Sequence, residues 1–192
     1  MGKLTEIRWH GRAGQGVVTA SELLAEAALK EDKFFQAFPE YGAERMGAPI
    51  RAYTRISDEP IEVHYQILNP EAVVVVNPNL LGAVDVTEGL VADGALIVNT
   101  TQGPGEIRAR LGLQGKKVRV FTVDATRIAL ETLGRDIPST LMLGSIIRAI
   151  GLVNLDNTLH LVREKLGAKL RPEVVENNVK ALRRAYDEVK EG

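Results

Sequence analysis

The apolar positions of this chain change period several times, and each change marks an element. Leu4 to Trp9 is an apolar-rich run that ends at His10 and reads as a strand over 4–10. Beyond a glycine-rich stretch, Val17, Ala20, Leu24, Ala27 and Ala28 fall on one face at helical spacing, which predicts a helix over 17–31. A second strand is expected over 33–38. In 50–57, Ile50, Ala52, Thr54 and Ile56 alternate with Arg51, Tyr53, Arg55 and Ser57, the pattern of a half-exposed strand. Asp58-Glu59-Pro60 then reads as a turn into a paired strand near 61–65. Val73 to Val76 is uninterrupted valine, as expected of a strand covered on both faces in a parallel sheet. Residues 96–98 and 118–123 repeat that theme, and the intervening 80–92 and 104–114 have helix or turn character.

The last third reads as helical. Leu141 to Ile150 is apolar on nearly all faces and should be buried. A helix at 156–167 ends at Gly167. Pro172 suits the first turn of a final helix, where Val175, Val179, Leu182, Tyr186 and Val189 step by fours and threes. The whole predicts an α/β fold: an open, mostly parallel sheet with helices on both faces, an inserted antiparallel hairpin and a helical C-terminal third. With no repeat, low-complexity segment or linker, residues 1–192 read as one domain.

Composition narrows the function classes. Apolar residues make up 45% and charged residues 26% of the 192 residues, as in an ordinary globule. A net charge of −1 gives no reason to expect a nucleic-acid partner. No run approaches the roughly 18 apolar residues of a membrane span, and the N-terminus shows no basic-then-apolar signal, so a cytoplasmic protein away from membranes is expected. The absence of cysteine excludes thiol catalysis, disulfides and cysteine-ligated clusters or zinc on this chain.

The most informative stretch is Gly11-Arg12-Ala13-Gly14-Gln15-Gly16. A strand, a glycine turn and a helix start form a cradle for an anion, usually phosphate, because the first turn of a helix offers unpaired N–H groups. The spacing is G-x-x-G-x-G, not the G-x-G-x-x-G of dinucleotide binders. The end of the second strand also lacks the acid that would hold a ribose. Polar residues follow three further strands: Asn77, Asn99-Thr100-Thr101 and Asp124. They lie where an α/β sheet binds ligands, and they equally suit turns or helix caps. Arg45, in the 39–49 loop, can clamp a phosphate or pair with an acid across an interface. His10, His64 and His160 are scattered and read as surface or strand-end residues. No nucleophile motif, carboxylate pair or metal-ligand spacing is present, so the chain is expected to have no catalytic or metal site of its own.

The run His10 to Ala20 resembles the N-terminal loop of the gamma subunit of 2-oxoacid:ferredoxin oxidoreductases. So do Tyr41-Gly42-Ala43-Glu44-Arg45-Met46-Gly47-Ala48-Pro49, Leu96 to Thr100, Asp124 to Ala129, Met142-Leu143-Gly144 and Asn178 to Tyr186. The resemblance spans nearly the whole chain, with departures at Ala13 and at Met46-Gly47-Ala48. It implies a subunit of a pyruvate-type enzyme that oxidatively decarboxylates a 2-oxoacid, captures the acyl group on coenzyme A and reduces ferredoxin. It further implies alpha, beta and delta partner subunits, which carry thiamine diphosphate and [4Fe-4S] clusters. Coenzyme A is the ligand expected at this chain. The candidate contacts are Gly11, Arg12, Gly14, Gln15, Gly16, Thr19, Arg45 and Asn99. The alternatives are a purely structural assembly subunit, or the gamma subunit of a 2-oxoisovalerate or 2-oxoglutarate enzyme.

Overall fold

The computed structural model describes residues 3–40 and 47–192. Arg45, with the rest of 41–46, lies outside the described residues. In chain order the elements are β1 (Leu4–Arg12), α1 (Val17–Leu29), β2 (Phe34–Pro39), β3 (Pro49–Ser57), β4 (Ala72–Val75), β5 (Ala95–Asn99), α2 (Pro104–Arg110), β6 (Arg119–Val123), α3 (Ala125–Leu133), α4 (Met142–Ile150), α5 (Leu155–Gly167), α6 (Pro172–Glu188) and β7 (Lys190–Glu191).

The strands form one sheet in the order β2-β3-β1-β4-β5-β6-β7. β1, β4, β5 and β6 pair in parallel, and β3 runs antiparallel between β1 and β2. β1, β2, β4, β5 and β6 therefore all point the same way, and their carboxyl ends share one edge. β1-α1-β2 is a crossover with β3 slotted into its gap. From β1 the chain leaves by α1 on one face. From β4 it leaves by a 3-10 turn at Pro78–Leu80 on the other face. The carboxyl ends of β1 and β4 thus flank the crevice where the winding changes sense, the usual ligand position in such sheets.

Each face of the sheet has its own apolar core. One joins Ile7, Trp9, Val74 and Ile97 to α1 and α3 through α6. The other joins Val73, Val75, Leu96 and Val120 to Ile107 of α2 and to Leu80 and Leu81. The valine run is covered on both sides, as its uninterrupted apolarity predicts. Trp9, fully buried, keeps its indole N–H satisfied by Thr54 Oγ1 at 3.1 Å, which in turn donates to the Ser21 carbonyl at 3.0 Å. At Gly144 of α4, a Cβ would stand 2.2 Å from the Leu182 carbonyl oxygen of α6. Only glycine lets these two helices approach so closely.

Three expectations need correction. Residues 61–65 form no strand, and the partners of β3 are β2 and β1. β3 is not half-exposed: from Ala52 to Ser57 it is buried. The polar half of its alternation faces an irregular strap, residues 58–71, instead of water. Arg55 is fully buried under that strap. It donates to Glu6 (2.7 Å), Gln36 (3.2 Å) and the carbonyls of Val63 (3.3 Å) and Tyr65 (2.6 Å). Lastly, residues 125–133, for which the pattern predicts no helix, form α3, with Asp124 capping its start and left-handed Gly134 ending it.

Candidate functional site

The glycine stretch sits in the crevice at the carboxyl ends of β1 and β4. Gly14 (φ 89°) and Gly16 (φ 73°) both occupy the left-handed region, where a side chain is strained, so the tight turn from β1 into α1 requires them. Ala20 N–H makes the first helical bond, to Gly16 O at 3.0 Å. The amides of Val17, Val18 and Thr19 precede it and have no intrahelical acceptor. Gly16 supplies no side-chain cap, and the first turn carries no acid to offset the positive end of the helix.

Gln15 organises the turn. Its Oε1 accepts from the Arg12 backbone N–H at 2.9 Å and from Asn77 Nδ2 at 3.1 Å. Asn77 in turn accepts from Asn79 N–H at 3.0 Å. The polar side chain after β4 thus ties the loop after β1 across the crevice. With Oε1 occupied twice, the Nε2 of Gln15 has no hydrogen-bond acceptor among the described residues and is the end of the side chain left to donate. Arg12 Nη1 donates to the Gly47 carbonyl at 2.8 Å, and Ala13 N–H donates to Ala48 O at 2.9 Å, so the loop is anchored on its other flank too.

The candidate residues divide accordingly. Arg12, Gly14, Gln15, Gly16 and Thr19 come together, with Gly14 and Thr19 exposed. Gly11 serves packing: a Cβ there would lie 2.3 Å from Val17 Cγ2. Gly16 also has an internal neighbour, because its Cβ would meet Ser139 Oγ at 2.8 Å. Asn99 reaches the same edge, but its amide is committed inside the protein. Nδ2 donates to Val76 O and Thr126 Oγ1, both at 2.9 Å, and Oδ1 accepts from Thr126 N–H. Both ends of the Asn99 amide are thus engaged within the protein, and Asp124, which suited either a ligand or a cap, is the cap of α3.

Sequence reasoning missed a buried basic cluster behind the loop. His10 and Arg8 are 1% and 2% exposed, on the sheet face opposite α1. Arg8 Nε donates to His10 Nε2 at 3.0 Å, and Arg8 Nη2 donates to the carbonyls of Val86 and Glu88. Burial, followed by the charges of Arg8 and Arg51, holds the His10 pKa down at about 3. His10 is therefore neutral, with its proton on Nδ1. Arg51, opposite His10 in the β1–β3 register, lies 3.7 Å from Glu40 and 3.6 Å from Glu88. The expectation of a surface or strand-end residue is corrected for His10: β1 continues to Arg12, and His10 is buried within it. His64 and His160 are exposed. Among the described residues no group of His, Cys, Asp or Glu is arranged to hold a metal ion.

Comparison with known proteins adds a family. The family model for pyruvate ferredoxin/flavodoxin oxidoreductase matches residues 6–188. The pyruvate synthase subunit PorC of Thermotoga maritima is 50% identical over 188 residues, 98% of this chain and 96% of that protein. The pyruvate/ketoisovalerate oxidoreductases common subunit gamma of Pyrococcus abyssi is 47% identical over 184 residues, 96% of each. A crystal structure of the pyruvate oxidoreductase subunit PORC of Thermotoga maritima superposes with a TM-score of 0.86 at 46% identity, covering 99% of both chains.

Proposed function

The chain belongs to the pyruvate ferredoxin/flavodoxin oxidoreductase family, and we propose that it is the gamma subunit of a multi-subunit pyruvate:ferredoxin oxidoreductase in which it holds the phosphates of coenzyme A. The assembled enzyme oxidatively decarboxylates a 2-oxoacid, transfers the acyl group to coenzyme A and reduces ferredoxin. The observation that carries the coenzyme A reading is the cradle itself. The uncapped start of α1, with no acid in its first turn, opens beside Gln15 at the switch point of the sheet, a setting suited to a pyrophosphate. Arg12 and Thr19 flank it, and Arg45 is proposed as a further phosphate contact.

Thiamine diphosphate and the [4Fe-4S] clusters belong to the alpha, beta and delta partners. A chain with no cysteine offers no thiolate to a cluster. This subunit works in the cytoplasm, positions coenzyme A and contributes no catalytic residue. One relative's name describes a gamma subunit common to pyruvate and ketoisovalerate enzymes, which favours a second reading: the 2-oxoacid is chosen by the other subunits, and this chain serves more than one enzyme.

Hydrogen exchange on the assembled complex tests the cradle. Adding coenzyme A is expected to slow exchange of the amides within 14–19. Unchanged exchange there under saturating coenzyme A overturns the phosphate role and leaves an assembly role.

A further inference from the structure

Residues 56–107 contain eight of the chain's 25 acidic residues and none of its 24 Lys and Arg. A chain that is nearly neutral overall therefore has one strongly acidic block. The fold keeps most of this block on one side, because 58–71 and the turns after β4 cover the sheet face opposite α1, while α2 on the same face adds Glu106 together with Arg108 and Arg110 at the far edge. Among the described residues, the block makes one ion pair, Glu88 with Arg51 at 3.6 Å. Asp58, Glu59, Glu62 and Asp85 are exposed, and among the described residues no cation lies within ion-pair distance of them.

The strap in this block is held rigidly although it has no regular structure. At one end Gln36 of β2 donates to Ile61 O at 3.4 Å. In the middle Arg55 grips the carbonyls of Val63 and Tyr65, and Gln66 donates to Tyr53 Oη at 2.6 Å. At the far end Leu68 O abuts Gly89, leaving no room for a Cβ there. On this fixed backbone Tyr65 and Leu68 are each 63% exposed. Two large apolar side chains thus stand exposed on the strap that carries Asp58, Glu59 and Glu62, and Leu68 abuts the turn that carries Glu88. An apolar centre with a charged rim, already fixed in shape, has the anatomy of a protein interface.

We propose that this strap face is where the chain docks onto a basic surface of a sibling subunit in its own complex, a reading that rests on the subunit role proposed above. A second copy of this chain does not fit. A two-fold contact would set acid against acid at close range, whereas a surface rich in Lys and Arg supplies the missing counter-charges.

The test is assembly with the remaining chains of the complex, followed by native mass spectrometry and by salt titration of the bound fraction. The triple variant Asp58→Lys, Glu59→Lys, Glu62→Lys is compared with a control of equal charge change outside the block, Glu22→Lys, Glu173→Lys, Glu191→Lys. The expected result is at least tenfold weaker assembly for the strap variant, little change for the control, and a salt dependence present in the wild type and lost in the strap variant. Tyr65→Ser with Leu68→Ser is expected to weaken assembly at every salt concentration. If the strap variants, folded by circular dichroism, assemble as well as the control, the inference fails while the subunit role stands. If wild type does not assemble with those chains, the subunit role fails and this inference with it.

Discussion

Asn77 Nδ2 donates to Gln15 Oε1 at 3.1 Å, and this contact ties the loop after β1 to the loop after β4. It also sets the polarity of the cradle, because an oxygen that accepts from both Asn77 and the Arg12 amide leaves the Gln15 nitrogen as the end free to donate. Gln15→Glu keeps an oxygen for both internal donors but presents a second oxygen, bearing negative charge, where the donor was. The KM for coenzyme A in the assembled enzyme is expected to rise about 10- to 100-fold, the worth of a charge-assisted hydrogen bond. The thermal midpoint should stay near that of wild type. Asn77→Asp removes the inner donor and should raise the same KM with a larger loss of stability. A KM unchanged in both variants removes Gln15 from the site.

Gly16 and Ser139 form a second checkable pair. Ala at residue 16 brings a Cβ to 2.8 Å from Ser139 Oγ and forces a side chain into φ 73°. The contact and the backbone strain add. Gly16→Ala should lower the unfolding free energy in urea by about 2 kcal/mol, of which at least 1 kcal/mol is the left-handed backbone alone. Adding Ser139→Ala removes the contact but not the strain, so part of the loss should return. Full recovery would mean that φ carries no cost here, and no recovery would mean that the serine is not in the way.

The sequence makes most of the scaffold legible, and for a plain reason. The valine run, the glycine turn and the proline start of α6 each express a local rule that the tertiary structure does not override. What misled was the polar half of β3. Alternation of Arg51, Tyr53 and Arg55 with apolar residues is the signature of a face in water, and periodicity cannot reveal that a strap from elsewhere will cover it. The same blindness hid the burial of His10. In the candidate site, the glycines were readable because turns demand them. The commitment of Asn99 to Val76 and Thr126 was not, since a strand-end asparagine looks alike whether it faces ligand or protein.

Arg55 tests the strap directly. Its guanidinium, fully buried, joins Glu6 on β1 to the carbonyls of 63 and 65. Arg55→Met leaves the Glu6 carboxylate without its cation and frees two carbonyls. The expected loss is about 3–5 kcal/mol of stability, the usual cost of halving a buried ion pair. Proteolytic cleavage within 58–70 should become faster than in wild type. Arg55→Lys keeps the charge but loses the fork, so it should lie between the two. A strap that resists protease in Arg55→Met is held by something else.

His10 predicts a specific acid sensitivity. In the folded chain, burial and the neighbouring Arg8 and Arg51 hold its pKa at about 3, whereas the unfolded chain titrates near 6.5. The folded pKa is the lower one, so between these values the unfolded state binds the extra proton. Stability from this group is complete above about pH 6.5 and falls as pH drops toward 3, by about 1.4 kcal/mol per unit. Between pH 7 and pH 5 the wild type should lose about 2 kcal/mol through His10 alone. His10→Gln still offers an oxygen to Arg8 Nε but cannot titrate. Its urea midpoint should therefore fall less over the same interval, even if it starts lower at pH 7. Parallel pH profiles for the two proteins would show that His10 is already neutral in the unfolded chain, or that its burial opens freely to water.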